Sequence, residues 1–440
     1  MPDHRQPDSS LDLFLRAVID RDAEGARRVL AEDAAIPARS LHAAATIGDI
    51  TNVRRLIGND ASVVSLRAGD PSAEPLLYLC YSPFHGESPR RDADLLETVR
   101  LLLQAGADPN TRDSRYGVPV LFAVTGARSI LPIARLLLDA GANPTDGESV
   151  FHAAERFHVE ALELLLAAGA DLNYVGEWGN TALYFLLRWY DVEKEPQVRQ
   201  GLDWLLTHGA DPNVTSGPAR ETALHIAARL GQHVSIIRSL LEHGADVDAR
   251  RRDGMTAWRL ARRGGFDGAA AALEQAGALV EPLSPAEELL AACGRGDVDA
   301  ARQLSTPEIV DQLTAEDRQC LPEAAMRRRG RAVIAYVAAA LPTDTTDGNG
   351  STALHYAAIS GGIEQVRALL AAGADFTLRD REHSATPLGW ACFGVDFVAN
   401  TDGDYEACVR ALLDAGARPE PGDYEPRHAG VRALVDDARR

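Results

Sequence analysis

The sequence predicts an all-α solenoid of antiparallel helix pairs joined by short hairpin turns, and three observations carry that expectation. The stretch Glu221 to Asp248, ETALHIAARLGQHVSIIRSLLEHGADVD, offers Thr222 as a helix start, apolar residues at helical spacing and Gly244 as a helix end. Its closing Gly-Ala pair recurs at Gly106, Gly141, Gly169, Gly209, Gly244, Gly277, Gly373 and Gly416, scattered around a period of roughly 33 residues. A unit of two short helices has too shallow an apolar face to bury a core alone, so the copies must stack.

Taken in order, Leu11 to Leu30 has the helix-pair pattern without a preceding hairpin and reads as an N-terminal cap. A unit follows at Leu41 (LHAAATIGDITNVRRLI), and another near Pro75 whose helices are separated by about ten extra residues carrying Phe84, His85, Glu87, Arg90 and Arg91. Units at Val118 to Asn143 and Ser149 to Asn173 precede one at Thr181 with a second insertion around Tyr190 to Gln197. The Glu221 unit comes next, then Thr256 to Gly277, and the run Glu281-Pro282-Leu283-Ser284-Pro285 marks a bend. Glu287 to Leu304 and Pro322 to Leu341 keep the helix-pair pattern but lack the closing turn. The segment Pro282 to Leu341 is therefore expected to be the weakest part of the array. The pattern recovers at Thr352 to Asp375 and continues through ATPLGWACFG with a third insertion around Val395 to Asp404, before a capping helix at Leu434. All three insertions are expected to be ordered, because they carry aromatic residues that a disordered linker disfavours. The count is about twelve units. They divide into an N-terminal array over 1–280, degenerate repeats over 281–345 and C-terminal repeats over 346–440.

Composition excludes several classes. No apolar run approaches the roughly 18 residues of a membrane span, and the opening MPDHRQPDSS lacks a signal peptide's apolar core. The five cysteines, Cys80, Cys293, Cys320, Cys392 and Cys408, are far apart and form no CxxC pair, which fits a reducing cytoplasm. A formal charge of −19 argues against nucleic acid or anionic membrane as a partner. Lys194 is the single lysine among 45 basic residues. That bias follows either from a GC-rich genome or from selection of guanidinium for anion recognition.

Thr222, Leu224, His225, Ala227, Ala228 and Gly231 in one unit, and Thr352, Leu354, His355, Ala357, Ala358 and Gly361 in another, resemble the ankyrin-repeat family. The whole chain is similar to bacterial ankyrin proteins of this size with no assigned activity. The resemblance implies protein binding, with Thr and His linking neighbouring turns and the paired alanines letting helices approach closely.

His42, His152, His225 and His355 recur at one repeat position. Helices stack roughly 8–10 Å apart, too far for these imidazoles to share one ion, so no metal and no cofactor is expected. Cys80 and Cys392 fall at alanine positions, where small buried side chains are wanted. No GxSxG, GxxxxGK[ST], HExxH or GxGxxG motif is present. Glu155 stands where another unit has Ala228, and a carboxylate there needs a partner, for which Arg188 is the candidate.

The positions after the paired alanines face the concave groove in ankyrin arrays. Here they supply Tyr81, Arg156 with Phe157, Arg188 with Trp189, Arg229, and Arg262 with Arg263, followed by Arg295, Arg328 and Arg329. Two readings of this stripe stand: compensation of helix C-terminal dipoles, or an anion-selective groove. The function expected is non-enzymatic binding of a protein or peptide, acidic in character, by a monomer. The alternatives are an enzyme with a pocket near His152, Glu155, Tyr184 and Arg188, and a self-associating structural protein.

Overall fold

The computed structural model describes residues 9–190, 192, 194–398, 400–420 and 424–440. Among these, regular structure is helical, and extended pairing is limited to isolated bridges such as Arg112–Pro119 and Ser216–Glu221. The all-α expectation holds. Two compact units divide the chain: residues up to Ala227 with Arg238–Asp253, and Ala228–Ile237 with Gly254–Arg440.

In the first unit the helices run α1 (Ser9–Ile19), α2 (Ala23–Glu32), α3 (Ile36–Arg39), α4 (Leu41–Ile47), α5 (Ile50–Asn59), α6 (Pro75–Cys80), α7 (Pro89–Gln104), α8 (Val120–Thr125), α9 (Leu131–Asp139), α10 (Ser149–Glu155), α11 (Val159–Ala167), α12 (Ala182–Trp189) and α13 (Pro196–Thr207). First helices stack in the order α4, α6, α8, α10, α12, and second helices α5, α7, α9, α11 stack beside them. This two-row arrangement buries Leu76, Leu77 and Leu79 of α6 and Leu183, Leu186 and Leu187 of α12, the apolar faces that no single pair can cover. One approach is closer still. A Cβ on Gly201 of α13 would lie 1.9 Å from the Ala154 carbonyl oxygen, so glycine is what lets α13 reach α10.

The hairpin turns are tied to each other by side-chain amides. Asn110 donates to the Gly141 carbonyl at 3.0 Å and accepts from the Asn143 amide at 2.7 Å. Asn173 does the same to Gly209 and Asp211, and Asn213 to Gly244 and Asp246. Each turn thereby satisfies backbone groups of the next one that would otherwise lack partners.

Across the division lie α14 (Ala223–Arg229) and α15 (Val234–Glu242). The second unit continues with α16 (Ala257–Arg263), α17 (Asp267–Gln275), α18 (Pro285–Arg295), α19 (Val298–Leu304), α20 (Pro307–Asp311), α21 (Ala315–Arg318), α22 (Cys320–Met326), α23 (Gly330–Ala338), α24 (Ala353–Ile359), α25 (Ile363–Ala371), α26 (Pro387–Phe397), α27 (Tyr405–Asp414) and α28 (Ala429–Ala438). Here the rows are less regular. Both α18 and α19 pack on α23, while α22 packs on α23 and α24. Ser284 and Glu287 close a capping box at the start of α18, and α28 packs on α27 and buries Val431 and Val435.

The insertions differ from one another. In the first, Phe84 is buried and His85 Nε2 bonds the Leu79 carbonyl at 3.0 Å, whereas Arg90 and Arg91 have joined the first turn of α7. The third is partly helical, because α26 extends to Phe397, and Phe393 stacks on Phe397 at 4.4 Å beneath Tyr424. Asp191 and Glu193 of the second, and Ala399 of the third, lie outside the described residues.

Candidate functional site

In the first unit the groove positions fall at the ends of α6, α10 and α12. Tyr81 is half-buried with the Arg21 guanidinium 5.9 Å from its ring. Arg156 is exposed and donates to the Ala127 carbonyl at 2.9 Å. Phe157 follows with φ of 50°, a left-handed conformation that the equivalent turns elsewhere assign to glycine, as at Gly231 and Gly361. Arg188 donates to the Tyr184 hydroxyl at 3.2 Å and lies 5.4 Å from the ring of Trp189, which is 57% exposed.

The four residues expected to converge into a pocket are distributed between two networks. In one, His152 Nδ1 meets Glu155 at 2.5 Å, His152 Nε2 meets Glu148 at 3.3 Å, and Tyr190 donates to the other Glu155 oxygen. In the second, Arg188 bonds Tyr184, Tyr184 donates to Glu221 at 3.3 Å, and Glu221 pairs with buried Arg251 at 2.9 Å. The carboxylate of Glu155 is thus held by His152 and Tyr190, where Arg188 was expected. The acid sits three residues along α10 from His152 on the same helix face, and Tyr190 arrives from the end of α12.

Burial works against a charged His152, but its bonds to Glu148 and Glu155 override that effect and raise its pKa to about 9. His42 shows the opposite balance: buried and bonded to the Ala73 carbonyl at 3.1 Å, it is pushed down to about 4 by desolvation. His225 and His355 take Thr222 and Thr352 as Nδ1 partners at 2.7 and 2.9 Å. His152 departs from them because Ser149, at the equivalent of those threonines, is bonded to Asp146 at 2.5 Å.

In the second unit Arg229, Arg262 and Arg263 of the groove are ion-paired within the chain. Arg229 meets Glu323 at 3.2 Å, Arg262 meets Asp267 at 2.8 Å, and Arg263 pairs with Asp317 and lies 3.7 Å from Glu287. Arg259 binds Glu287 through two bonds of 2.7 Å. Burial opposes ionisation of Glu287, yet Arg259 and Ser284 hold its carboxyl at about 2. Arg229, Arg263, Arg327 and Arg329 border a cavity of ≈ 80 Å³ with Glu316 and Glu323.

Residues 197–281 and 289–423, half of the chain, match the family model described as ankyrin repeats (3 copies), and residues 150–193 match the one described as ankyrin repeats (many copies). The chain belongs to the ankyrin-repeat family. Ankyrin repeat and SOCS box protein 16 of Homo sapiens is 34% identical over 121 residues, 27% of this chain and 24% of that protein. SH3 and multiple ankyrin repeat domains protein 2 of Homo sapiens is 42% identical over 59 residues, 13% of this chain and 3% of that protein. The chain spans a quarter or less of the length of these curated relatives. The crystal structure of the human ASB11 ankyrin repeat domain aligns with a TM-score of 0.39 at 24% identity, covering 56% of this chain and 99% of that one.

Within this ankyrin array, Tyr190, Asp317, Glu323 and Glu287 complete the networks around the expected site residues, and pattern reading passes over the three acids. Tyr190 had a weak signal, as an aromatic residue opening an insertion. Asp317 and Glu323 had none, since they meet Arg263 and Arg229 across 54 and 94 residues of chain. Cys80 and Cys392 are buried, as their alanine positions require; Cys408 is buried too, and burial pushes its thiol up to about 12.

Proposed function

We propose that this chain is a non-enzymatic recognition scaffold whose first unit binds a partner segment through Arg156, Arg188 and Trp189, with Tyr81 at one side. The observation that carries the reading is the Arg188–Trp189 pair, in which an exposed indole is covered on one face by a guanidinium. Such a pair offers a large apolar anchor and a charge that selects an acidic neighbour. Ankyrin repeats are in general protein–protein interaction modules. Engagement of Glu155 by His152 and Tyr190, and of Arg188 by Tyr184, supports the scaffold over a catalytic pocket.

We propose further that the chain is a bacterial, cytoplasmic monomer of about twelve units, divided at 280 and 345, whose charge of −19 argues against nucleic acid and anionic membrane as partners. No helix among the described residues is long and apolar enough to cross a membrane.

The test is capture of the partner from the native host followed by titration with variants. Trp189→Ala is expected to weaken binding about tenfold or more. Arg188→Glu is expected to slow association, with the effect largest at low salt. Normal binding by both variants would move the interface to the hairpin tips or the convex face.

A further inference from the structure

The second unit contains an acidic segment seated on its own arginines. Between α19 and α22 the chain runs through residues 305–319, a connection carrying α20 and α21. Helix α20 buries no side chain, and in α21 the buried residue is Asp317. Leu313 between them is buried, and Gln319 donates to the Thr346 carbonyl at 2.8 Å. Its apolar anchoring is confined to Leu313 and to Ile309 and Val310, which are half-buried against the core. It also buries charge: Asp317 meets Arg263 with side-chain exposures of 9% and 10%. Removing one partner of such a pair strands the other in a poorly solvated site.

The cavity borders this connection through Glu316 and Gln319. Arg229, Arg263, Arg327 and Arg329 face it, alongside apolar groups such as Leu260 and Leu290. Arg329 contacts the Gly264 and Gly294 carbonyls at 3.0 and 2.5 Å and lies 4.2 Å from the Phe266 ring. Two carboxylates six residues apart, Asp317 and Glu323, reach two of these guanidinium groups from one stretch of polypeptide.

We propose that residues 305–319 form a strap that presents Asp317 as an internal acidic ligand to this arginine face, and that an acidic polypeptide segment of a partner binds there by displacing the strap. The ligand class follows from the resident: a carboxylate on a polypeptide with an apolar residue close by in sequence, as Asp317 stands with Leu313. This deepens the recognition reading above and rests on it for the nature of the partner. Helix α22 stays in the stack during exchange, because Leu321, Pro322, Ala324 and Ala325 are buried in it. Release of the strap uncovers Cys320, which borders the cavity, whereas the other four cysteines are buried.

The experiment uses the full chain, a thiol reagent and a fluorescein-labelled peptide rich in Glu and Leu. Asp317→Asn is expected to speed modification of Cys320 about tenfold and to tighten peptide binding by a similar factor, because it removes the competing ligand. Arg263→Gln added to it is expected to abolish the gain in binding. Unchanged modification and unchanged binding in a folded Asp317→Asn protein would overturn the strap. Faster modification without tighter binding would overturn the ligand assignment. If that variant does not fold, hydrogen exchange of the wild type carries the test: saturating peptide is expected to deprotect 307–319, and unchanged or slower exchange there overturns the proposal. Thiol modification needs no natural partner, so its outcome is separate from the Trp189 and Arg188 titrations that judge the scaffold reading.

Discussion

His152 shows how much a single neighbour decides. Its imidazolium is stabilised in the folded chain between Glu148 and Glu155, with a pKa of about 9 against an ordinary 6.5. Below pH 6.5 both folded and unfolded chains carry the charge, so the full contribution of the pair is present; it is lost as pH rises through about 9. Urea denaturation of the wild type and of His152→Gln should therefore show a stability difference that shrinks by about 2 kcal/mol across that interval, after allowance for the partial exposure of the ring. A difference independent of pH would mean that the imidazole holds its proton no more tightly in the folded chain than in the unfolded one. The hydrogen-bonding role of His42, His225 and His355 was legible in the sequence because position within a repeat implies surroundings. That of His152 was not, since it turns on Ser149 being engaged by Asp146 and on Tyr190 arriving from another helix.

At the scale of elements, the helices and closing turns were legible because each is written in a few adjacent residues. The insertions were harder to read, since their fate depends on what they meet. The first has become core: Phe84 is 4% exposed, and the Arg27 guanidinium lies 5.7 Å from its ring. Phe397 in the third is 53% exposed and is stacked on its neighbour. Phe84→Ala should accordingly cost about 3 kcal/mol of stability by chemical denaturation, and Phe397→Ala well under half of that. Equal, small costs would show that the first insertion folds independently of the helices beneath it. Weakness expected across Pro282 to Leu341 is also better located by its contacts. Capped α18 buries Leu289 and Leu290, and α23 buries Val333 and Tyr336, whereas α20 only half-buries Ile309 and Val310. Within that segment faster hydrogen exchange is expected in the connection than in α18 or α23, because the missing closing turn leaves a longer path whose apolar anchors are Leu313 and half-buried Ile309 and Val310.

At the scale of the molecule, a repeat array has no obligation to unfold as one body, because stability is summed from neighbouring interfaces. Tryptophans report on both units: Trp178, Trp189 and Trp204 in the first, Trp258 and Trp390 in the second. Variants retaining only Trp204 or only Trp390 should give different denaturation midpoints by fluorescence. Coincident curves would instead mean a single cooperative transition. The asparagine ties between successive turns of the first unit carry a different lesson, about what lengths the chain tolerates. Asn110, Asn173 and Asn213 each refer only to the turn that follows, so the rule linking one turn to the next is local and can be repeated without reference to position. An added residue inside a turn moves a donor off its acceptor, whereas added residues between two helices of a pair leave every tie intact. The longer links from α6 to α7 and from α12 to α13 both fall in the second class, which makes those links the margins where such a chain is free to gain new sequence.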